Sequence, residues 1–288
     1  MSDSITVTDL VKNYGENHVL RGISFRVPHG TTFALLGVNG AGKTTTLECI
    51  EGLREPTSGS IQVDGRMGVQ LQSTTLPALI KGEEALRLFG LYNHTTSDKQ
   101  LNDRIGMSEL LKKPYSAMSA GQKRRLHLAL AMLGDPDILI LDEPTAGLDV
   151  EGRSALHEEI RNLQMKGKTI MLASHDLAEV EELTDHIAIL KDGQIAFSGS
   201  SASLRDQVGN VLQVAIKGSG GLPESVAATL GYFKEDKGYR YFTCADLGQG
   251  LVRLIDGLTR AGITIEDLVV SKPSLEQRFL EIARKVES

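Results

Sequence analysis

The stretch Gly37-Val38-Asn39-Gly40-Ala41-Gly42-Lys43-Thr44-Thr45 constrains this chain more than any other. It fits the spacing G-x-x-x-x-G-K-[ST], follows the apolar run FALL and opens the helical pattern GKTTTLECIEGL. Gly37, Gly40 and Gly42 let the backbone curl so that several N–H groups face one anion, and the positive end of the following helix adds to them. Lys43 is placed to reach the β- and γ-phosphates of a nucleoside triphosphate, and the Thr44 hydroxyl to coordinate Mg2+. A glycine-rich turn that merely joins a strand to a helix has no need of the Lys and the Thr. Taken alone, the loop specifies a nucleoside triphosphate and no particular reaction.

The flanking pattern supplies the frame. SITVTDLVKNY, GISFRVPHGTTFALLG and GSIQVDGRMGVQLQ read as strands with turns between them. Residues from about 75 to 117 carry helical patterns such as KGEEALRLFGLY without a strand, and form a helical lobe. DILILDEP is a continuous apolar run ending in acids, as in a buried parallel strand. RSALHEEIRNLQMKG then reads as a helix, KTIMLASHD as a strand, LAEVEELTD as a helix and HIAILKDGQIAFSG as a hairpin. Strands alternating with helices imply an α/β parallel sheet. SGSSASLRDQVGN, rich in Ser and Gly, reads as a domain boundary. Beyond it, VLQVAIKG, LPESVAATLG, YFKEDKGYRYFTC, GLVRLIDGLTRAG and ITIEDLVVSK give the order β-α-β-β-α-β of a small ferredoxin-like α+β unit, closed by the helix SLEQRFLEIARKV. The expected division is 1–205 and 206–288, with the helical lobe over about 73–135.

Asp142 and Glu143 end the buried strand ILILD, the edge of an open α/β sheet where ligands bind. Asp142 suits the acid that supports Mg2+ in a phosphate-loop enzyme. Glu143 is placed to face an attacking water as base or orienter. The bland reading is a strand-end acid capping the turn that Pro144 begins. His175, after the strand ending in LAS, is placed to sense a γ-phosphate, although a lone His is usually structural. Gln72, where the helical lobe begins, is placed to contact Mg2+ or the water and to link nucleotide state to that lobe. A second anion cradle opens another helix: Ser119-Ala120-Gly121-Gln122 precedes the cations Lys123, Arg124 and Arg125, which read as a mostly solvated face.

Bulk composition excludes several classes. The 288 residues are 41% apolar and 24% charged, enough for a real core. The formal charge of −6 argues against a nucleic-acid partner, which calls for a basic stripe. Two cysteines make no disulfide framework and suit a reduced, cytoplasmic setting. No basic n-region with an apolar h-region opens the chain. No apolar run approaches the roughly 20 residues of a spanning helix, so a membrane role has to come through a partner.

GVNGAGKTT, Gln72, MSAGQKRRL, ILILDEP, AGLD and SHD, in this order and spacing over about residues 4–200, resemble the nucleotide-binding subunits of ABC transporters. The resemblance implies a phosphate-loop ATPase fold with a mixed sheet, an antiparallel β part and a helical lobe. It makes Ser119–Gln122 the signature loop, usually L-S-G-G-Q, with Ala120 standing where a glycine is usual. It also implies two subunits packed head to tail around two ATP molecules. Each ATP would lie on one subunit's phosphate loop and under the other's signature loop. Two cradles in one chain would then serve two different nucleotides. By the same resemblance Tyr14 stacks on adenine, and Asp149, in AGLD, lies at the partner subunit and couples the sites. The ending KPSLEQRFLEI is similar to subunits that pair with two-component export permeases, the drug-resistance and antibiotic exporters among them. The implied protein is a Mg-ATP-hydrolysing subunit, peripheral on the cytoplasmic face of a membrane, held by a separate permease and paired with a second copy. A soluble ABC ATPase with a regulatory, non-transport role is the alternative.

Overall fold

The computed structural model describes residues 2–70, 75–95, 106–174, 176–206, 212–222, 227, 230–244 and 248–271. Gln72, His175, most of LPESVAATLG and the helix expected over SLEQRFLEIARKV lie outside the described residues. The chain divides into two compact units, Met1–Ser201 and Ala202–Ser288.

In the first unit, β1 (Asp3–Tyr14) and β2 (Asn17–Pro28) form a long antiparallel hairpin, and β4 (Ser58–Val63) pairs with the other edge of β1. The turn is tight: Tyr14 pairs with Asn17 across Gly15, which sits at φ 60° as an αL turn position requires. The second sheet has the order β5-β6-β7-β3-β8-β9. Its strands are β3 (Thr32–Leu36), β5 (Met67–Gln70), β6 (Ile138–Asp142), β7 (Thr169–Ser174), β8 (His186–Lys191) and β9 (Gln194–Ser200). The first five run parallel, and β9 returns antiparallel beside β8. Every residue of β3, β6 and β7 is buried, which explains their unbroken apolar runs.

One apolar core joins the two sheets to α1 (Lys43–Ile50). Ile5, Leu10 and Phe25 of the hairpin pack with Phe33, Ile140 and Met171 of the parallel sheet and with Leu47 and Ile50 of α1. Phe25 and Phe33 stack with ring centroids 5.4 Å apart. Among the described residues the remaining helices of this unit are α2 (Gly82–Tyr92), α3 (Ala120–Ala131), α4 (Val150–Met165) and α5 (Leu177–Leu183), with a 3-10 turn at Tyr115–Ala117.

The Ser/Gly-rich stretch read as a boundary is ordered secondary structure where it begins. β9 runs to Ser200 and α6 (Ser201–Asp206) follows directly. Ser201 donates its backbone N–H to the Asp185 carbonyl and its hydroxyl to the Thr184 carbonyl, so its polar groups are satisfied locally rather than by water. The second unit carries a four-stranded sheet in the order β11-β12-β10-β13, every pair antiparallel. These strands are β10 (Leu212–Ser219), β11 (Tyr232–Asp236), β12 (Tyr239–Cys244) and β13 (Thr264–Ser271). Val214, Ile216 and Phe242 pack with Leu254 and Leu258 of α7 (Gln249–Arg260) as a separate core.

Glu51, at the C-terminal end of α1, has both carboxylate oxygens buried without a hydrogen-bond partner. Burial first, then repulsion from Asp142 and Glu48, raises its pKa from 4.5 to about 7. The folded chain therefore holds a proton that the unfolded chain releases between these values, and stability falls as pH rises through that window. We expect Glu51→Gln to melt above the wild type at about pH 8, with the gap closing toward about pH 4.5. Thermal melts across that range check this; a gap independent of pH would contradict it.

Candidate functional site

Two strands separated by a third in the sheet build the site. β3 ends at Leu36 and delivers the phosphate loop; β6 ends at Asp142; β7 lies between them. Their C-terminal ends point the same way because all three are parallel. The loop is closed by contacts that tolerate only glycine at two positions. A Cβ at Gly37 would stand 2.5 Å from the Leu190 carbonyl oxygen, and Gly42 caps α1 at φ 108° with Leu20 2.8 Å from where its Cβ would be. β8 and β2 thus press the loop into its curl from outside.

Inside the curl, the Lys43 ammonium donates to the Gly37 carbonyl at 2.8 Å and lies 3.4 Å from that of Val38. Burial lowers its pKa, and Glu143 and Asp142 oppose that shift. Thr44 donates its hydroxyl to Asp142 Oδ2 at 3.3 Å, so loop and strand end meet directly. Asp142 is 4% exposed, and its Oδ1 is buried without a partner. Burial and the neighbouring Glu143 raise the Asp142 pKa; the Thr44 hydroxyl, Lys43 and Arg124 pull it back. A buried hard oxygen acceptor with no donor, beside a Thr hydroxyl, fits a Mg2+ ion and leaves no other duty for that oxygen among the described residues.

A cavity of about 370 Å3 stands over the loop, lined by Val19, Asn39, Gly40, Gly42, Lys43, Thr44, Thr45 and Glu143. Val38 is exposed on the loop and Ala41 is buried under it. Glu143 sits at φ 51°, a strained value for a non-glycine residue. Its backbone is held from both sides: its N–H donates to the Ala173 carbonyl at 2.9 Å, and its carbonyl accepts from the Arg124 guanidinium. Strain maintained by surrounding contacts is characteristic of reacting residues.

The second cradle lies elsewhere in the same unit. Ser119 caps α3, accepting from the Gln122 N–H at 3.3 Å, while the Gln122 side chain accepts from the Ser119 N–H and from Lys113. Ser119 and Ala120 are exposed, and none of Ser119–Gln122 lines the cavity over the phosphate loop. Gly121 faces the following loop, where a Cβ would be 3.5 Å from Leu148. Asp149 caps α4, accepting from the Gly152 N–H at 2.8 Å.

Lys123, Arg124 and Arg125 are not the solvated face expected of them. All three are half-buried. Lys123 lies 4.8 Å from the Tyr115 ring centroid, Arg125 pairs with Glu109 at 3.5 Å, and Arg124 reaches Glu143. Burial pulls the Arg124 pKa down while Asp142, Glu143 and Glu179 push it up. A helix start read as one face misses partners that tertiary folding brings from three other segments. Tyr14, at the end of β1, is half-exposed; Lys12 and Arg54 lie 5.1 and 5.6 Å from its ring centroid, and Val19 rather than Tyr14 lines the phosphate cavity.

Comparison with known proteins agrees with this geometry. A family model described as ABC transporter matches residues 20–146. The daunorubicin resistance ATP-binding protein DrrA3 of Streptomyces coeruleorubidus is 31% identical over 98% of this chain and 96% of its own length. The Nod factor export ATP-binding protein I of Ralstonia nicotianae is 37% identical over 69% of this chain and 68% of its own. The solved ATP-binding subunit of an ABC transporter is 30% identical, covering 71% of this chain and 92% of that one with a TM-score of 0.66. With its phosphate loop, strand-end acids and second helix cradle in one α/β unit, this chain belongs to the ABC transporter family of ATP-binding proteins and is an ABC-type ATPase.

Proposed function

We propose that this chain is the ATP-hydrolysing subunit of an exporter, working as a head-to-tail homodimer on a separate membrane permease. The observation that carries the dimer is the separation of the two cradles: the cavity over the phosphate loop takes none of its lining from Ser119–Gln122. The relatives named for daunorubicin resistance and Nod factor export support the transport direction. No described helix is long and apolar enough to cross a membrane, so the proposed place on the cytoplasmic face depends on the permease. Around α2, Leu79, Leu88, Leu91 and Tyr92 are exposed, and Tyr92 also lines a cavity of about 310 Å3 with Glu51, Gln70 and His127. These exposed apolar side chains suit a permease segment, and they lie in the lobe expected to follow Gln72. Residues 206–288 are proposed as an accessory domain, a reading that the β11-β12-β10-β13 order of a ferredoxin-like sheet supports.

In the proposed mechanism the loop N–H groups of Gly37–Thr45 bind the phosphates. Lys43 exchanges its two carbonyl contacts for the β- and γ-phosphates, a short move because its amine already lies in the curl. Thr44 and Asp142 would hold Mg2+, which supplies charge neutralisation on the phosphate oxygens when bound. Glu143 orients water and takes its proton. Ser119–Gln122 of a second copy closes over the γ-phosphate, and His175 contacts it. Tyr14 stacks on adenine, and Asp149 meets the second copy. Positioning and electrostatics, rather than covalent chemistry, supply the acceleration.

Glu143→Gln removes the base and keeps every backbone contact. We expect ATP affinity near that of the wild type and turnover lower by about a hundredfold or more. Lys43→Ala is expected to weaken ATP binding itself by at least about tenfold, read by equilibrium titration; unchanged affinity would overturn its assignment. For the exporter reading, tagged Glu143→Gln chain is purified with ATP from detergent-solubilised native membranes. A stoichiometric polytopic membrane protein is the expected companion, and its absence favours the soluble regulatory alternative.

A further inference from the structure

Glu179, on α5, is 2% exposed and takes no part in the mechanism above. Buried carboxylates are costly unless something in the fold uses them. Its Oε2 accepts from two hydroxyls at or just beyond the ends of the neighbouring strands β6 and β7. Ser174 Oγ, the last residue of β7, donates at 2.8 Å, and Thr145 Oγ1, in the loop leaving Glu143, donates at 3.2 Å. Ser174 Oγ in turn accepts the Asp176 N–H at 3.0 Å, so one carboxylate oxygen anchors the chain on both sides of position 175. Asp176 closes the circuit by capping α5, accepting from the Ala178 and Glu179 N–H groups at 3.0 and 3.2 Å. The other oxygen, Oε1, is buried with no hydrogen bond and lies 3.9 Å from His157 Nε2. Burial raises the Glu179 pKa, and the two hydroxyls counter this by holding its charged form.

We infer that Glu179 is a positioning residue for ATP hydrolysis: through Thr145 and Ser174 it fixes the loop that carries Glu143 against the end of β7. This rests on Glu143 being the base, and it adds a residue that touches neither nucleotide nor water. The Glu143 backbone is already strained and pinned to Ala173, the neighbour of Ser174. A carboxylate that joins Thr145 to Ser174 holds the same two segments a second time, just past the reacting side chain. Loosening it shifts the base by a fraction of an ångström, which costs rate and leaves the phosphate loop untouched.

The test uses the full chain, with three readouts: turnover at saturating Mg-ATP, affinity for a non-hydrolysable ATP analogue, and melting temperature. Glu179→Met keeps volume and removes the acceptor; Glu179→Gln keeps a carbonyl acceptor and removes the charge. We expect Met to lower kcat by about tenfold or more with analogue affinity within about twofold, and Gln to restore kcat to within about threefold of wild type. Ser174→Ala is expected to lower kcat in the wild-type background and to have little further effect in Glu179→Met. A residue that only packs would lower the melting temperature and leave kcat of the folded protein alone. Wild-type kcat in Glu179→Met, equal losses in Met and Gln, or additive losses with Ser174→Ala would each overturn the inference. Should Glu179→Met not fold, the Ser174→Ala/Thr145→Val double variant removes both donors; a tenfold-scale loss of kcat at unchanged affinity supports it, and wild-type kcat overturns it. Wild-type turnover in the same assay tests the ATPase reading separately, since only the ratio between variants reports on Glu179.

Discussion

The hydrogen bond from the Thr44 hydroxyl to Asp142 joins the start of α1 to the end of β6, and the site exists because those two points meet. They meet because β3 and β6 are parallel strands flanking β7, so both chain ends leave the sheet on one edge. The core beneath them, from Phe25 and Phe33 to Leu47, holds the hairpin, the sheet and α1 as one body. Removing water from this edge has a cost. Lys43 and Asp142 are both buried, each shifted away from its charged form and each held partly in place by the other. Such a pair is primed for a ligand that brings negative phosphate and a divalent cation together, because that ligand satisfies both at once.

Glu143 shows how the fold spends stability on position. Its φ of 51° is unfavourable, and Ala173 and Arg124 hold the backbone there from opposite sides. Arg124 belongs to α3, the helix that Ser119 caps, so that helix is joined to the Glu143 backbone by one side chain. In a head-to-tail pair this contact would let each nucleotide influence hydrolysis of its neighbour. The link is a single guanidinium among Asp142, Glu143 and Glu179, half-buried and therefore sensitive to small shifts of α3.

Much of this was legible in the residues. The phosphate loop, the acids ending ILILD and the hairpin HIAILKDGQIAFSG stand where local pattern placed them, because each is specified by contiguous residues. β2 was legible only in part. It begins at Asn17, where polar residues line the exposed face of a hairpin and hide the alternation. The two units divide within SGSSASLRDQVGN, at Ser201, but the start of that stretch is strand and helix rather than loop, because Ser can satisfy its groups on a neighbouring carbonyl as well as on water. The partners of Lys123, Arg124 and Arg125, the place of Val19 in the cavity and the role of Glu179 depend on residues far apart in sequence. No periodicity records such contacts. Glu179 itself lies within LAEVEELTD, which reads simply as a helix.

Whether the two cradles of one chain act on different ATP molecules can be read by mixing two defective chains. One carries Lys43→Ala and the other Ser119→Arg. Alone, each can form only dimers with two damaged sites. Mixed, a head-to-tail pair has one site with both defects and one with none. We expect the mixture to trap about one ATP per mixed dimer and to regain turnover that neither chain shows alone. Mixed dimers that form and bind no ATP would contradict it.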